Sequence, residues 1–310
     1  MPECDVYIAS SCTEEISGTG APKTAQYLKE QGVHLAFLLD EGGMIVENPV
    51  GGVTGIYGMV GVVEKGYGDV KFIAKGKGGH ASAPGKNTPL VRLGKFMAEI
   101  DKKEVFKAQL TPTVREMFRR MTPNMDFGMR LIFSNLWLFE GILLKLLPAI
   151  SPVASAMTRT TIAFATAKGS EGLNVLPGEA FVTGNMRFIH HQPNEESIAL
   201  VTSIAKKYDL EAEPLYHDRP CPIMDYKSEA FLLLEKVAAE IYPGIGICPY
   251  TMTCGTDAKY YSEICENSMR FAPLYIDAQQ YASVHGMNEN IYQGALPAGV
   301  DFYKKIIELS

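Results

Sequence analysis

No Cys-x-x-Cys pair occurs among the six cysteines, Cys4, Cys12, Cys221, Cys248, Cys254 and Cys265. Without tight spacing they read as reduced thiols rather than disulfide staples, and they offer no thiolate set for a metal. No run of Lys and Arg interleaved with aromatics appears, and the net charge of −6 excludes a phosphate-backbone binder. Nucleic acid is not an expected partner. No basic stretch followed by an apolar one precedes the first apolar run, so no signal peptide is read and the expected compartment is cytoplasmic. An uninterrupted apolar span of roughly twenty residues, as a membrane helix needs, is also missing. The most apolar stretch, residues 131–153, is broken by Glu140, Lys145 and Pro148. It reads as a helical hairpin packed on the body, with a lipid-facing surface as the other use of such a segment. Membrane association is not expected.

What is present suits an α/β protein. At 310 residues, 46% hydrophobic and 21% charged, the chain is long enough for two domains with separate cores. Residues 6–10 read as a buried strand with almost no lead-in, residues 21–31 as a helix with Pro22 in its first turn, and residues 33–39 as a second strand after a Gly32 stop. Strand, helix and strand with tight connections are the grammar of a parallel sheet, whose ligands bind beyond the carboxyl ends of strands. Two acidic clusters fall there, Glu14-Glu15 and Asp40-Glu41. A middle block, with strands at 70–74, 160–167, 179–188 and 211–216 and helices at 89–100 and 195–208, follows a βαββαβ pattern. After residue 217 helix and strand alternate again, to a final helix at 298–309.

Toward the C-terminus, a polar loop at Thr253-Cys254-Gly255-Thr256-Asp257 precedes His285, which stands in a His-Gly-x-Asn-Glu context. An imidazole in a loop among small and acidic residues has the makings of a metal ligand. Adjacent carboxylates such as Glu14 and Glu15 can divide two tasks, one binding a metal and one moving a proton. Carboxylates plus imidazole suit Zn²⁺ or a related divalent ion.

Several segments carry a resemblance: Thr13-Glu14-Glu15-Ile16-Ser17-Gly18-Thr19-Gly20-Ala21, Leu39-Asp40-Glu41-Gly42-Gly43, Gly79-His80-Ala81-Ser82-Ala83-Pro84, Asn174-Val175-Leu176-Pro177 and Met186-Arg187-Phe188. Together, and in this order along the chain, they resemble the M20 family of zinc metallopeptidases. The branch they resemble holds carboxypeptidase S and the N-fatty-acyl-amino-acid synthase/hydrolases. The resemblance implies hydrolysis of an amide next to a free carboxylate, in a dipeptide or an N-acyl amino acid. It implies Glu14 as general base, Glu15 and His285 as zinc ligands, and Asp40 as a further ligand with Glu41 as the alternative. His80 would steady the oxyanion from the lid, reaching a partner subunit's site, and Arg187 would clamp the substrate carboxylate. Asn174, Gly255 and Thr256 match substrate-contacting positions.

The implied architecture is a split zinc-peptidase catalytic domain, residues 1–67 and 215–310, with a ferredoxin-like α+β lid at 68–214 through which a homodimer forms. Two departures stand out. Thr13 replaces the family's usual Asp before the Glu pair, and no His-x-Asp motif or bridging Asp is found. The chain therefore reads as an N-terminally truncated enzyme that binds its two zinc ions weakly and hydrolyses little, or as a non-catalytic dimerising remnant. The apolar stretch makes a fatty-acyl substrate compatible with this reading.

Overall fold

The computed structural model describes residues 4–16 and 18–310. Met1–Glu3 of the opening segment and Ser17 of the Glu-Glu motif lie outside them.

Elements follow in chain order. First come helix α1 (Gly20–Glu30) and strands β1 (Leu38–Asp40), β2 (Ile45–Glu47), β3 (Ile56–Glu64), β4 (Gly66–Lys75) and β5 (Gly79–His80). Then come helices α2 (Pro89–Lys102), α3 (Pro112–Met121), α4 (Phe127–Ser134), α5 (Leu136–Ile150) and α6 (Pro152–Ala156). Strands β6 (Thr161–Lys168), β7 (Val175–Leu176) and β8 (Glu179–Phe188), helix α7 (Asn194–Lys206) and strand β9 (Glu211–His217) close the middle block. The last part holds α8 (Glu229–Ile241), β10 (Gly246–Met252), β11 (Ser268–Arg270), β12 (Tyr275–Ile276), α9 (Ala278–Ser283) and α10 (Leu296–Leu309). Two compact units result: Met1–Glu64, Leu110–Met157 and Cys221–Ser310 form one, Lys65–Gln109 and Thr158–Pro220 the other. The helices of Leu110–Met157, expected inside the lid, thus belong to the first unit. Their inward residues, Val114, Met117, Phe118, Phe133, Leu143 and Leu147, share a core with Val50, Tyr57 and Cys248.

In the first unit β3 is the spine. It pairs parallel with β10 along one edge and antiparallel with β2 and then β11 along the other, while β1 runs parallel to β11. Val60, Val62, Val63 and Glu64 of β3 are all buried, the near-continuous burial of a strand covered on both faces. Helix α1 ends where Gly32, at φ 71°, allows Val33 N to bond Leu28 O and Gly32 N to bond Lys29 O, the Schellman stop the sequence suggests. The strand expected at residues 6–10 is absent. That segment is irregular, and Ile8 is 92% exposed. It lines a cleft opposite Leu35, Phe37 and Leu39 without joining the β1 ladder, so its β-forming composition is left without the pairing that makes a strand. Glu14-Glu15 therefore follows a loop rather than a strand.

The second unit is the expected βαββαβ sheet in the order β6-β8-β4-β9. One face, with Val70, Phe72, Ala74, Val182, Met186 and Phe188, packs on Leu93, Phe96, Val201 and Ile204 of α2 and α7. Lys65, its first residue, is buried and donates to Arg159 O at 2.8 Å and Thr161 Oγ1 at 3.2 Å. Burial, with a smaller push from Arg187, lowers its pKa to about 7. An unfolded Lys titrates near 10.4, so between the two values the unfolded chain binds the extra proton. Stability from this group is lowest and flat below about pH 7 and rises from there toward about pH 10. Urea unfolding of the wild type between about pH 6 and 10 should show that rise, and Lys65→Met should flatten it. An unchanged slope in the variant would rule Lys65 out as its source.

Candidate metal and substrate site

The acidic residues of the first unit gather as the sequence suggests. Glu14 and Glu15 sit in a single 3-10 turn, Glu14–Ile16, whose loop is closed by Gly18 N donating to Thr13 O at 2.8 Å. Asp40 ends β1, and Glu41 leads into Gly42 and Gly43. A Cβ on Gly43 would lie 2.0 Å from Met59 O and 2.4 Å from Arg270 O, so only glycine lets the chain leave the acidic pair at this angle. Asp40 is held at both oxygens: Oδ1 accepts from Glu41 N at 2.9 Å and Oδ2 from Ala258 N at 2.6 Å. The second bond ties the Gly255-Thr256-Asp257 loop to β1.

Crowding raises these carboxyls. Glu14 is pushed up to about 7, first by burial and then by the charges of Glu41, Glu15, Asp257 and Asp40. Glu41 is raised by burial and by Asp40 and Glu15, and a hydrogen bond with Glu14 partly offsets this. Burial and Asp40 also raise Asp257. From the far end of the chain His285 brings its Nδ1 to 3.8 Å from Glu15 Oε2. Its backbone is left-handed, φ 58°, with its N–H donating to Glu289 Oε2 at 3.2 Å. A non-glycine residue keeps that conformation only where its surroundings over-determine it.

The donors fit a divalent cation in kind, carboxylates beside one imidazole, at a place where negative charges repel one another. In number they fall short. Among the described residues no group of three or more His, Cys, Asp or Glu side chains converges on a metal position.

Beneath the acids lies a pair that sequence reasoning missed. Glu64 and Arg270, 1% and 2% exposed, form an ion pair between β3 and β11. Glu64 also accepts from Thr256 Oγ1 at 2.7 Å and Thr256 N at 3.2 Å, and Arg270 donates from Nη1 to Ser268 O at 2.8 Å. Thr256, expected at the substrate, is buried and spends both donors on Glu64, so it positions its loop instead; Gly255 beside it is exposed. The signal was available: a Glu and an Arg each embedded in an apolar strand cannot be buried unpaired.

The second unit holds the other expected residues. His80 pairs with Val175 in the short β5–β7 ladder, and Ala81 N donates to Asn174 O at 2.8 Å, which brings His80 and Asn174 together. His80 Nδ1 accepts from Ser82 N at 3.1 Å. The neutral ring therefore carries its proton on Nε2. Arg187 on β8 lies over the Tyr67 ring, 4.7 Å from its centre, and its Nε donates to Asn185 Oδ1 at 3.3 Å. Asp69 accepts from both supports, Tyr67 OH at 2.6 Å and Asn185 Nδ2 at 2.8 Å. Among the described residues no carboxylate lies within ion-pair distance of Arg187, so its terminal nitrogens are unspent. Tyr67, Asp69 and Asn185 were not found from the sequence.

Residues 62–213 match the model of the M20 peptidase dimerisation domain. The chain carries an M20 dimerisation domain. The chain is 29% identical over 311 residues to the Xenopus tropicalis N-fatty-acyl-amino acid synthase/hydrolase PM20D1, covering all of itself and 60% of that protein. It is 28% identical to probable carboxypeptidase S-like 2 of Dictyostelium discoideum, covering 99% of itself and 59% of the relative. It thus spans less than two thirds of the curated relatives it matches. Its fold is that of the M20 metallo-carboxypeptidase Sso-CP2 from Sulfolobus solfataricus, with a TM-score of 0.64 at 15% identity over 96% of this chain and 68% of that one. Dug1p, a di-peptidase from Saccharomyces cerevisiae, shares it at a TM-score of 0.60 and 13% identity, over 96% of this chain and 64% of that one.

Breaking a buried ion pair on one side strands the other charge. Glu64→Leu and Arg270→Met should each cost about 3–5 kcal/mol in urea unfolding, and the double variant less than the two singles summed. Additive losses would show the two charges to be uncoupled.

Proposed function

We propose that this chain supplies part of the active site of a metal-dependent hydrolase that cleaves the amide of dipeptides or N-acyl amino acids bearing a free carboxylate. The observation that carries the reading is the crowding of Glu14, Glu15, Asp40 and Glu41, with His285 from the other end of the chain brought to 3.8 Å from Glu15. Glu15 and His285 would hold zinc together with Asp40, whose two backbone bonds fix it; Glu41, hydrogen-bonded to Glu14, is the alternative. The chemistry zinc would supply there is polarisation of the scissile carbonyl and acidification of water.

The chain's own groups do the rest. Glu14, next to the ligand Glu15 and already sharing a hydrogen bond with Glu41, takes and returns a proton. His80 presents Nε2–H to the developing oxyanion, a donor worth a few kcal/mol once water is excluded. Arg187, stacked on Tyr67 with its fork open, grips the substrate carboxylate. Asn174, beside His80, and exposed Gly255 contact the substrate. The dimerisation domain supports a homodimer.

A second reading rests on the incomplete ligand set: this polypeptide by itself binds zinc weakly, turns over little and persists as a dimerising unit. Isothermal titration with zinc and an assay on an N-acyl amino acid separate the two. We expect weak zinc binding, weakened a further tenfold or so by His285→Ala or Glu15→Gln and little changed by Glu14→Gln. Tight binding of two ions with turnover would overturn the impaired reading. Zinc affinity indifferent to His285→Ala would overturn the site itself.

A further inference from the structure

The helical hairpin of α4 and α5 hides one side and bares the other. Phe133, Leu143 and Leu147 are buried, whereas Leu138, Ile142, Leu146 and Ile150 form an exposed row at four-residue spacing along α5. Leu131 and Val153 are exposed as well, Phe127 is 82% exposed and Trp137 is 79% exposed. So continuous an apolar surface marks a docking face. No single helix is long and apolar enough to cross a membrane, but α4 and α5 together have the composition of a span and are bent by 114° at Asn135. A bent pair with one bare face lies along an interface rather than through it.

Charge says what covers it. In a chain of net charge −6, residues 110–157 carry five cations and three anions. Arg115, Arg119 and Arg120 are paired with Glu140 and Glu116. Arg130 and Lys145, both exposed, have no carboxylate at ion-pair distance among the described residues. Arg130 turns its Nη2 to Pro123 O and Met125 O. Lys145 stands on α5 next to Leu146 of the row, where a long cationic side chain reaches headgroups, and Trp137 has the amphipathic ring that favours the same depth.

We propose that the outer face of α4 and α5 docks in-plane on an anionic lipid bilayer. This does not depend on the hydrolase reading.

Trp137 is the only tryptophan of the chain, so its fluorescence reports the event directly. With phosphatidylcholine vesicles containing phosphatidylserine, the emission should shift to the blue and the full chain should float with the vesicles, less so as salt is raised. Lys145→Glu should lower partitioning roughly tenfold. Leu138→Glu with Ile142→Glu should abolish it while the far-ultraviolet circular dichroism stays unchanged, since both side chains are exposed. No shift with charged vesicles would overturn the proposal. Equal binding to pure phosphatidylcholine would overturn its charge complementarity. A blue shift that appears without lipid and grows with protein concentration would assign the face to a second copy instead.

Discussion

Glu64 and Arg270 are sealed from water, and removing two such charges from solvent costs several kcal/mol each before any attraction is counted. What makes their burial tolerable is that Glu64 is satisfied from several directions, by Arg270, by both donors of Thr256 and by the Cys221 thiol at 3.7 Å. The same bonds fix the geometry above them. Thr256 is drawn down onto Glu64, Ala258 N is offered to Asp40, and Asp257 between them is left facing the acidic cluster. The arrangement of carboxylates is thus set from below, by a pair sealed from solvent.

This explains how like charges can be kept together. Glu14, Asp40, Glu41 and Asp257 oppose one another's ionisation, and in a free chain they would move apart. Here each is anchored by something other than its carboxylate neighbours: Glu14 by a one-turn helix, Asp40 by two backbone amides, Glu41 by the two glycines that follow it, and Asp257 by the loop pinned at Thr256. His285 enters through a backbone conformation that a bulky residue would resist, and histidine is among the few side chains that accept it with modest strain.

The sheet of the second unit was legible because its signals are local: period-two alternation, Thr88-Pro89 before α2, and regular strand spacing. The acidic residues and His285 were legible as motifs, by resemblance more than by chemistry, since two adjacent glutamates alone say little. What escaped was non-local. Residues 6–10 have the composition of a strand, and only the missing ladder partner reveals them as loop. Glu64, Arg270, Tyr67, Asp69 and Asn185 act through neighbours distant in sequence, and Thr256 looked like a contact residue because its inward partner was unseen. The outer row of α5 was read as packing, because an apolar helix face is usually covered and periodicity does not say by what.

His80 shows how little machinery a donor requires. The acceptor side of its ring is satisfied by Ser82, two residues along, and its backbone by a ladder to Val175. Its tautomer is therefore chosen within the three residues His80–Ser82. The position of the ring, by contrast, depends on a strand distant in sequence, so the proton's identity is local while its direction belongs to the folded unit.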